Sequence, residues 1–232
     1  MRSILITVSS KLAVFDTEEL RRLFSRDTVD LHGIGMEKTA LFVVVSDTDR
    51  SMDPMANVFF SQAIQELCRV ADALPGQRLP IDVRFLLDDF ATNVRIVDFP
   101  RMIASIRSRG ISVMLMIQAE SQLMQAYGED GRTIIGNCDT YVYLGGNDVD
   151  TARSVAQRAN LPLHRILYMP IGTNWIFRRG QEPVSAKNFD LDAFVLEMIA
   201  RKPKLRQSLR QPQRPRNECA QENIEKMRAC GR

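Results

Sequence analysis

Four runs of β-forming apolar residues punctuate the chain, at 39–45, 83–87, 111–117 and 140–144. Each is nearly continuous rather than alternating, the pattern of strands buried on both faces. Between them apolar residues recur at helical spacing. The clearest case is 55–74, with Val58, Phe59, Ala63, Ile64, Leu67, Val70, Ala71 and Leu74 in register. Pro54 suits its first turn and Pro75-Gly76 stops it. Residues 17–24 carry Glu18 and Glu19 in a first turn, where the helix dipole favours acids. Further helices are predicted over 99–106, 121–127, 131–135, 148–159 and 189–200, the fourth capped by Asp148 or Asn147. Residues 3–14 alternate like a strand, and short strands around Trp175 and Gly180 read as a hairpin at a sheet edge. Strands alternating with helices predict an α/β fold, a parallel sheet with helices on both faces.

One strand ends unlike the others. The run 83–87 stops in adjacent carboxylates, Asp88 and Asp89. The carboxyl ends of parallel strands are where α/β proteins place ligand chemistry. In P-loop ATPases this is the Walker B position, where an Asp serves Mg²⁺ and a second residue positions the attacking water. The alternative is that one of the two caps the next helix, as acids often do.

Composition sharpens this only in part. The 232 residues suffice for one large or two small cores. No apolar run approaches a membrane span and no signal peptide is visible at Met1, so a cytoplasmic chain is expected. Cys68, Cys138, Cys219 and Cys230 lie far apart, without metal-ligand spacing, and neither His32 nor His164 has a Cys or His partner nearby. Cys68 and Cys138 sit among apolar residues and read as buried free thiols. The net charge of +3 hides an asymmetry: residues 201–232 hold ten Lys/Arg against three Asp/Glu, and the rest is mildly acidic. A uniformly basic nucleic-acid binder is excluded. The segment 201–232, rich in Pro, Gln and Arg, reads as a disordered tail.

Three segments acquire meaning together: Phe85-Leu86-Leu87-Asp88-Asp89-Phe90-Ala91-Thr92-Asn93, Ile106-Arg107-Ser108-Arg109-Gly110, and Ile117-Gln118-Ala119-Glu120-Ser121-Gln122-Leu123. Behind them stand Tyr127-Gly128, Gly136-Asn137-Cys138-Asp139-Thr140, Leu144-Gly145-Gly146 and Ile171-Gly172-Thr173-Asn174-Trp175. In this order and spacing the chain resembles the type IV secretion coupling proteins, conjugative DNA-transfer ATPases with a RecA-like motor domain. The resemblance implies that Asp88 organises Mg²⁺ through water and that Asp89 polarises the attacking water. The family more often has Glu at the second position, so the carboxylate here is set back by one methylene. It implies that Gln118 senses the γ-phosphate, and that Arg107 enters a neighbouring subunit's nucleotide site to stabilise the transferring phosphoryl group. Beside these stand plainer readings: Gln118 as a cap of the next helix, and Arg107 as a solvated helix-end arginine before Gly110. Arg109 could replace Arg107. The implied cofactors are ATP and Mg²⁺. The implied partners are DNA (single- or double-stranded), a relaxase, type IV secretion channel proteins and further copies in a homo-hexamer, at the cytoplasmic face of the plasma membrane.

A P-loop reads G-x-x-x-x-G-K-[ST], and none of the twelve glycines begins one. Lys38-Thr39 lacks the glycine spacing and precedes a strand rather than opening a helix. The chain is therefore expected to be the carboxyl-terminal portion of such a motor: residues 1–200 an incomplete P-loop NTPase domain, 201–232 a basic tail. Alone it is expected to be inactive. The competing function is a non-catalytic remnant that binds DNA through its tail or oligomerises.

Overall fold

The computed structural model describes residues 18–25, 29–46, 48, 50–92 and 95–201. The expected strand at 3–14, the basic segment from 202 onward, Asn93, Cys219 and Cys230 lie outside them. Within this range α1 (Glu18–Phe24) is followed by the long helix α2 (Asp53–Ala73), with Pro54 in its first turn. One face of α2 buries Ala56, Ala63, Ile64, Leu67, Val70 and Ala71. The helix ends at Leu74, which is extended because Pro75 follows it and disfavours helical geometry.

Two strands, β1 (Val83–Leu87) and β2 (Ile111–Leu115), pair in parallel with Val83 opposite Ile111 and Leu87 opposite Leu115. Their crossover contains α3 (Phe99–Ser105) and a 3₁₀ turn over Ile106–Arg109. Gly110 then turns the chain into β2 at φ +79°, a region that strains residues with a Cβ. After β2 come α4 (Glu120–Tyr127), α5 (Asp130–Asn137), β3 (Thr140–Tyr143), α6 (Val149–Ala159), α7 (Leu163–Leu167), β4 (Thr173–Arg178) and β5 (Val184–Lys187). The chain divides into units 1–186 and 187–232. In the second, α8 (Leu191–Arg201) carries Phe194, whose ring meets that of Phe189 edge-on at 5.2 Å.

Two apolar clusters hold the first unit. The larger joins α2, β1, α3, β2, α4 and α5 through residues such as Ile64, Leu67, Leu87, Ile103, Ile111, Leu123 and Ile134. The smaller gathers Tyr143, Ala152, Val155, Ala156 and Ile166, with Trp175 and Phe177 packed against them. No helix among the described residues is long and apolar enough to cross a membrane.

The expected α/β alternation is present, and three expectations about the sheet need correction. The run 39–45 belongs to no strand; Phe42 and Val44 are 87% and 90% exposed. Val83 N–H donates to Gly110 O and Met116 N–H to Leu87 O, so the odd-numbered backbone groups of β1 face β2. The other edge of β1 faces a groove of about 800 Å³, floored by Phe59, Phe60, Ala63 and Leu67 and walled by residues 37–43. That gap keeps the run from forming a ladder. Second, β3 does not join β1 and β2. It pairs antiparallel with β4 in a separate sheet ordered β3-β4-β5. Third, helices cover only one face of the β1–β2 pair among the described residues. Arg84, Leu86, Ser112 and Met114 share the other face, where Leu86 and Met114 are 62% and 53% exposed.

Candidate functional site

Beyond Leu87 and Leu115 the two chains stay side by side. Met116 N–H donates to Leu87 O at 3.0 Å and Phe90 N–H to Met116 O at 2.9 Å. The ladder thus outlasts the strands, bringing Asp88 and Asp89 next to Gln118. Both acids are exposed. Asp89 stands at φ +47°, left-handed geometry that Asp tolerates better than most residues, and its N–H donates to Asp88 Oδ1 at 3.1 Å. Gln118 Nε2 donates to Asp89 Oδ1 at 3.3 Å, and Gln122 Nε2 reaches Gln118 Oε1 at 3.5 Å.

Neither acid caps a helix, because a turn follows them and α3 begins only at Phe99. Gln118 caps none either: α4 starts after Ala119, and the Gln118 amide is directed at the acid instead. Among the described residues no cation pairs with Asp88 or Asp89. What the arrangement can do is present unneutralised carboxylate oxygens, with an amide beside them, to a hydrated cation.

Aromatic packing seats the acid turn. Phe90, 1% exposed, stacks on Tyr127 at 5.8 Å and meets Phe99 at 5.1 Å. The Tyr127 hydroxyl accepts from Ile96 N–H at 2.9 Å and donates to Ile96 O at 3.4 Å. Burial pushes its pKa up to about 12, so it keeps its proton in neutral solution. Tyr127→Phe leaves a buried amide without an acceptor and is expected to cost about 1–3 kcal/mol of stability, read from urea midpoints. An unchanged midpoint would dismiss the bond.

Two residues outside the sequence motifs also reach this turn. Arg50 Nη2 donates to Thr92 O, and Asn57 Oδ1 accepts from Arg95 N–H at 2.6 Å. No spacing signal marks them; each reads in sequence as one more polar residue. On the far side, Asp148 caps α6 by accepting from Thr151 N–H at 2.9 Å. Bonds from Thr151 hold the Asp148 carboxyl below its usual range. The Thr151 hydroxyl in turn accepts from Glu120 N–H at 2.9 Å, tying α6 to the residue pair behind Gln118.

Arg107 is elsewhere. It is exposed on the 3₁₀ turn before Gly110, at the start of β2, while Gln118 lies past its end. The length of β2, on the order of 16 Å, separates them. The structure does not bring Arg107 to the acids of its own chain, and among the described residues its guanidinium has no partner. Arg109 differs. It makes a two-pronged ion pair with Asp72 at 2.8 and 3.0 Å, which raises its pKa further and ties the crossover to α2. Of the two arginines, only Arg107 is available to an external group.

Residues 82–159, which include both acids, Arg107 and Gln118, match the family model described as the TraM recognition site of TraD and TraG. Protein VirD4 of Rhizobium rhizogenes is 25% identical over 135 residues, 57% of this chain and 20% of its own length. The unbound bacterial conjugative coupling protein TrwBdeltaN70 superposes with a TM-score of 0.50 at 17% identity, over 60% of this chain and 38% of that one. The plasmid coupling protein TrwB in complex with ADP and Mg²⁺ gives 0.50 at 18%, over 60% and 37%. These two likenesses bear on the fold. The chain spans a fifth of the curated relative and well under half of the solved structures.

Proposed function

The chain belongs to the type IV secretion coupling proteins, and from that premise we propose that it carries the acidic half of a nucleotide site in a RecA-like, DNA-translocating motor. The motor would deliver DNA to a conjugative type IV secretion channel. The observation that carries the reading is the meeting of Asp89 with Gln118 at the carboxyl ends of two parallel strands, beside Asp88.

In this reading Asp88 holds the water shell of Mg²⁺, and its exposed, cation-free carboxylate fits that task. Asp89 orients the attacking water, and Gln118 holds Asp89 in place from the neighbouring strand. Bound Mg²⁺ and ATP supply the charge neutralisation and the transferable phosphoryl group. The TrwB complex with ADP and Mg²⁺ supports nucleotide use in the family. Arg107, exposed and on the far side of β2 from the acids of its own chain, would act on a neighbouring copy in a hexamer. The matched family description supports a TraM-type protein among the partners, beside DNA, a relaxase and the channel.

No G-x-x-x-x-G-K-[ST] occurs in these residues, so the phosphate-holding half of the site must come from outside them. The purified chain with MgATP is therefore expected to release phosphate at the background rate. Mg²⁺-dependent release that vanishes in Asp88→Ala would overturn this division of the site. The absent P-loop also favours a second reading, a non-catalytic module that binds DNA or oligomerises. The two part in donor cells, where a module without turnover would tolerate Asp88→Ala.

A further inference from the structure

The described residues between Asp88 and Asp98 hold unusual backbone geometry. Three residues with a Cβ, Asp89, Ala91 and Asp98, sit at φ +47°, +70° and +56°. Such conformations persist only where the surroundings over-determine them, and they concentrate at functional sites. From below, Phe90 and Ile96 are anchored in the core at 1% and 0% exposure. From the side, contacts come from the start of α2, about forty residues earlier in the chain.

We propose that Arg50, Asp53 and Asn57 form a clamp that positions the acid turn, so that Asp89 stays within reach of Gln118. The Arg50 guanidinium is a planar fork with donors on two edges. Its Nε donates to Asp53 Oδ2 at 3.0 Å, and its Nη2 donates to Thr92 O, three residues beyond Asp89. Asp53 is 9% exposed and lies in the first turn of α2, so its carboxylate fixes the guanidinium from a rigid base. One turn further along the same helix, Asn57 Oδ1 accepts from Arg95 N–H. Thr92 and Arg95 are thus both tied to a single helix end, while Phe90 is tied to Tyr127. A turn held at these points keeps Asp89 in its left-handed geometry without any glycine. These three residues lie outside the stretch 82–159 matched by the family model. They touch no reacting group and act through the turn, as positioning residues. A lysine at position 50 replaces the planar two-edged fork with one compact ammonium and loses the fixed geometry that spans the carboxylate and the carbonyl.

The proposal rests on reading Asp88 and Asp89 as the acids of a nucleotide site, and its test is independent of turnover. The full chain is labelled for NMR, and Arg50→Ala, Arg50→Lys and Asn57→Ala are compared with wild type. Ile64→Val serves as a control that weakens the core alone. The Arg95 amide is expected to exchange about tenfold faster or more in Asn57→Ala and in both Arg50 variants, with the β2 amides unchanged, as for a local opening. In an otherwise wild-type chain the Gln118 side-chain amide resonances should shift on Asp89→Ala, which removes their acceptor. In the clamp variants that response to Asp89→Ala should fade, while Ile64→Val retains it. Unaltered Arg95 exchange, or a Gln118 response that survives in all three variants, overturns the clamp. A Gln118 resonance indifferent to Asp89→Ala in the otherwise wild-type chain would instead count against the acid–glutamine pairing and the function built on it. The clamp would still stand or fall by the Arg95 amide.

Discussion

Asp88→Ala is expected to lower DNA transfer from donor cells by about 100-fold or more, while barely moving the unfolding midpoint of the chain. The two halves of that statement have separate causes. Asp88 is exposed, and among the described residues its carboxylate bonds only to the backbone N–H of the next residue, so truncation uncovers no buried group and opens no cavity. Exposed positions of this kind usually move stability within about 0.5 kcal/mol. If the acid organises the hydration shell of Mg²⁺, however, its removal misplaces the charge that must meet the transferring phosphoryl group. Interactions that act mainly in the transition state cost far more in rate than in folding. The measurement is the transfer frequency of donors carrying the substitution in the native genetic setting, alongside a urea titration of the purified chain. Transfer within about threefold of wild type would sink the catalytic reading and leave the non-catalytic module.

The loss should be specific to the acid end of the sheet. Arg109 is also a charged residue within the family motifs, yet it is spent on Asp72 and the carbonyl of Ser105. Its substitution disturbs the packing of the crossover against α2. That distinction could not be drawn from Arg107-Ser108-Arg109 as a string, since either arginine fits the motif. The structure separates them by what each already holds.

Much of the fold was legible because its signals are local. The periodicity of α2, the proline at its start and the proline after its end each act within a few residues, and so does the Asp148 cap. The stretch 39–45 was misread for the opposite reason. Its β-forming residues describe a willingness to be a strand, but a strand exists only when a neighbouring edge lies within hydrogen-bond reach. Here the groove beside β1 intervenes. The run 140–144 is a strand, as its apolar residues predict, but not a member of the parallel sheet, because an apolar run says nothing about the partner it will pair with. The short helix α7 was missed: five residues after Pro162 give too few turns for a periodicity to register.

The site divides along the same line. Asp88, Asp89 and Gln118 stand out because an apolar run that ends in polar residues is a visible discontinuity in the sequence. Arg50, Asp53 and Asn57 could not, since polar residues at the start of a helix are ordinary and their partners lie 42 and 38 positions away. Nor does the sequence announce the left-handed bends at Asp89 and Ala91, which would conventionally be sought at glycine. Tertiary contacts impose them.

Phe90→Ala tests that imposition and should have the largest effect on stability. The ring sits between two residues in left-handed geometry, packed on Tyr127 and Phe99 and nearly sealed from solvent. Truncating it removes the buried area and leaves a cavity in a core whose rings are held by Tyr127's bonds to Ile96. A loss of about 3–5 kcal/mol is expected. Against the 5–15 kcal/mol or so typical of a domain, that is enough to populate the unfolded first unit under mild conditions. Release of the strain at Asp89 and Ala91 offsets part of that cost, because without the anchor both residues are free to relax to ordinary φ, and the acid turn reorganises. Phe90→Leu keeps most of the apolar volume and should recover part of the loss. The measurement is urea unfolding followed by hydrogen exchange of the β1 and β2 amides, which isolates the first unit. A cost below about 1.5 kcal/mol for Phe90→Ala would mean that the aromatic cluster does not hold the turn. The geometry of Asp88 and Asp89 would then need another source.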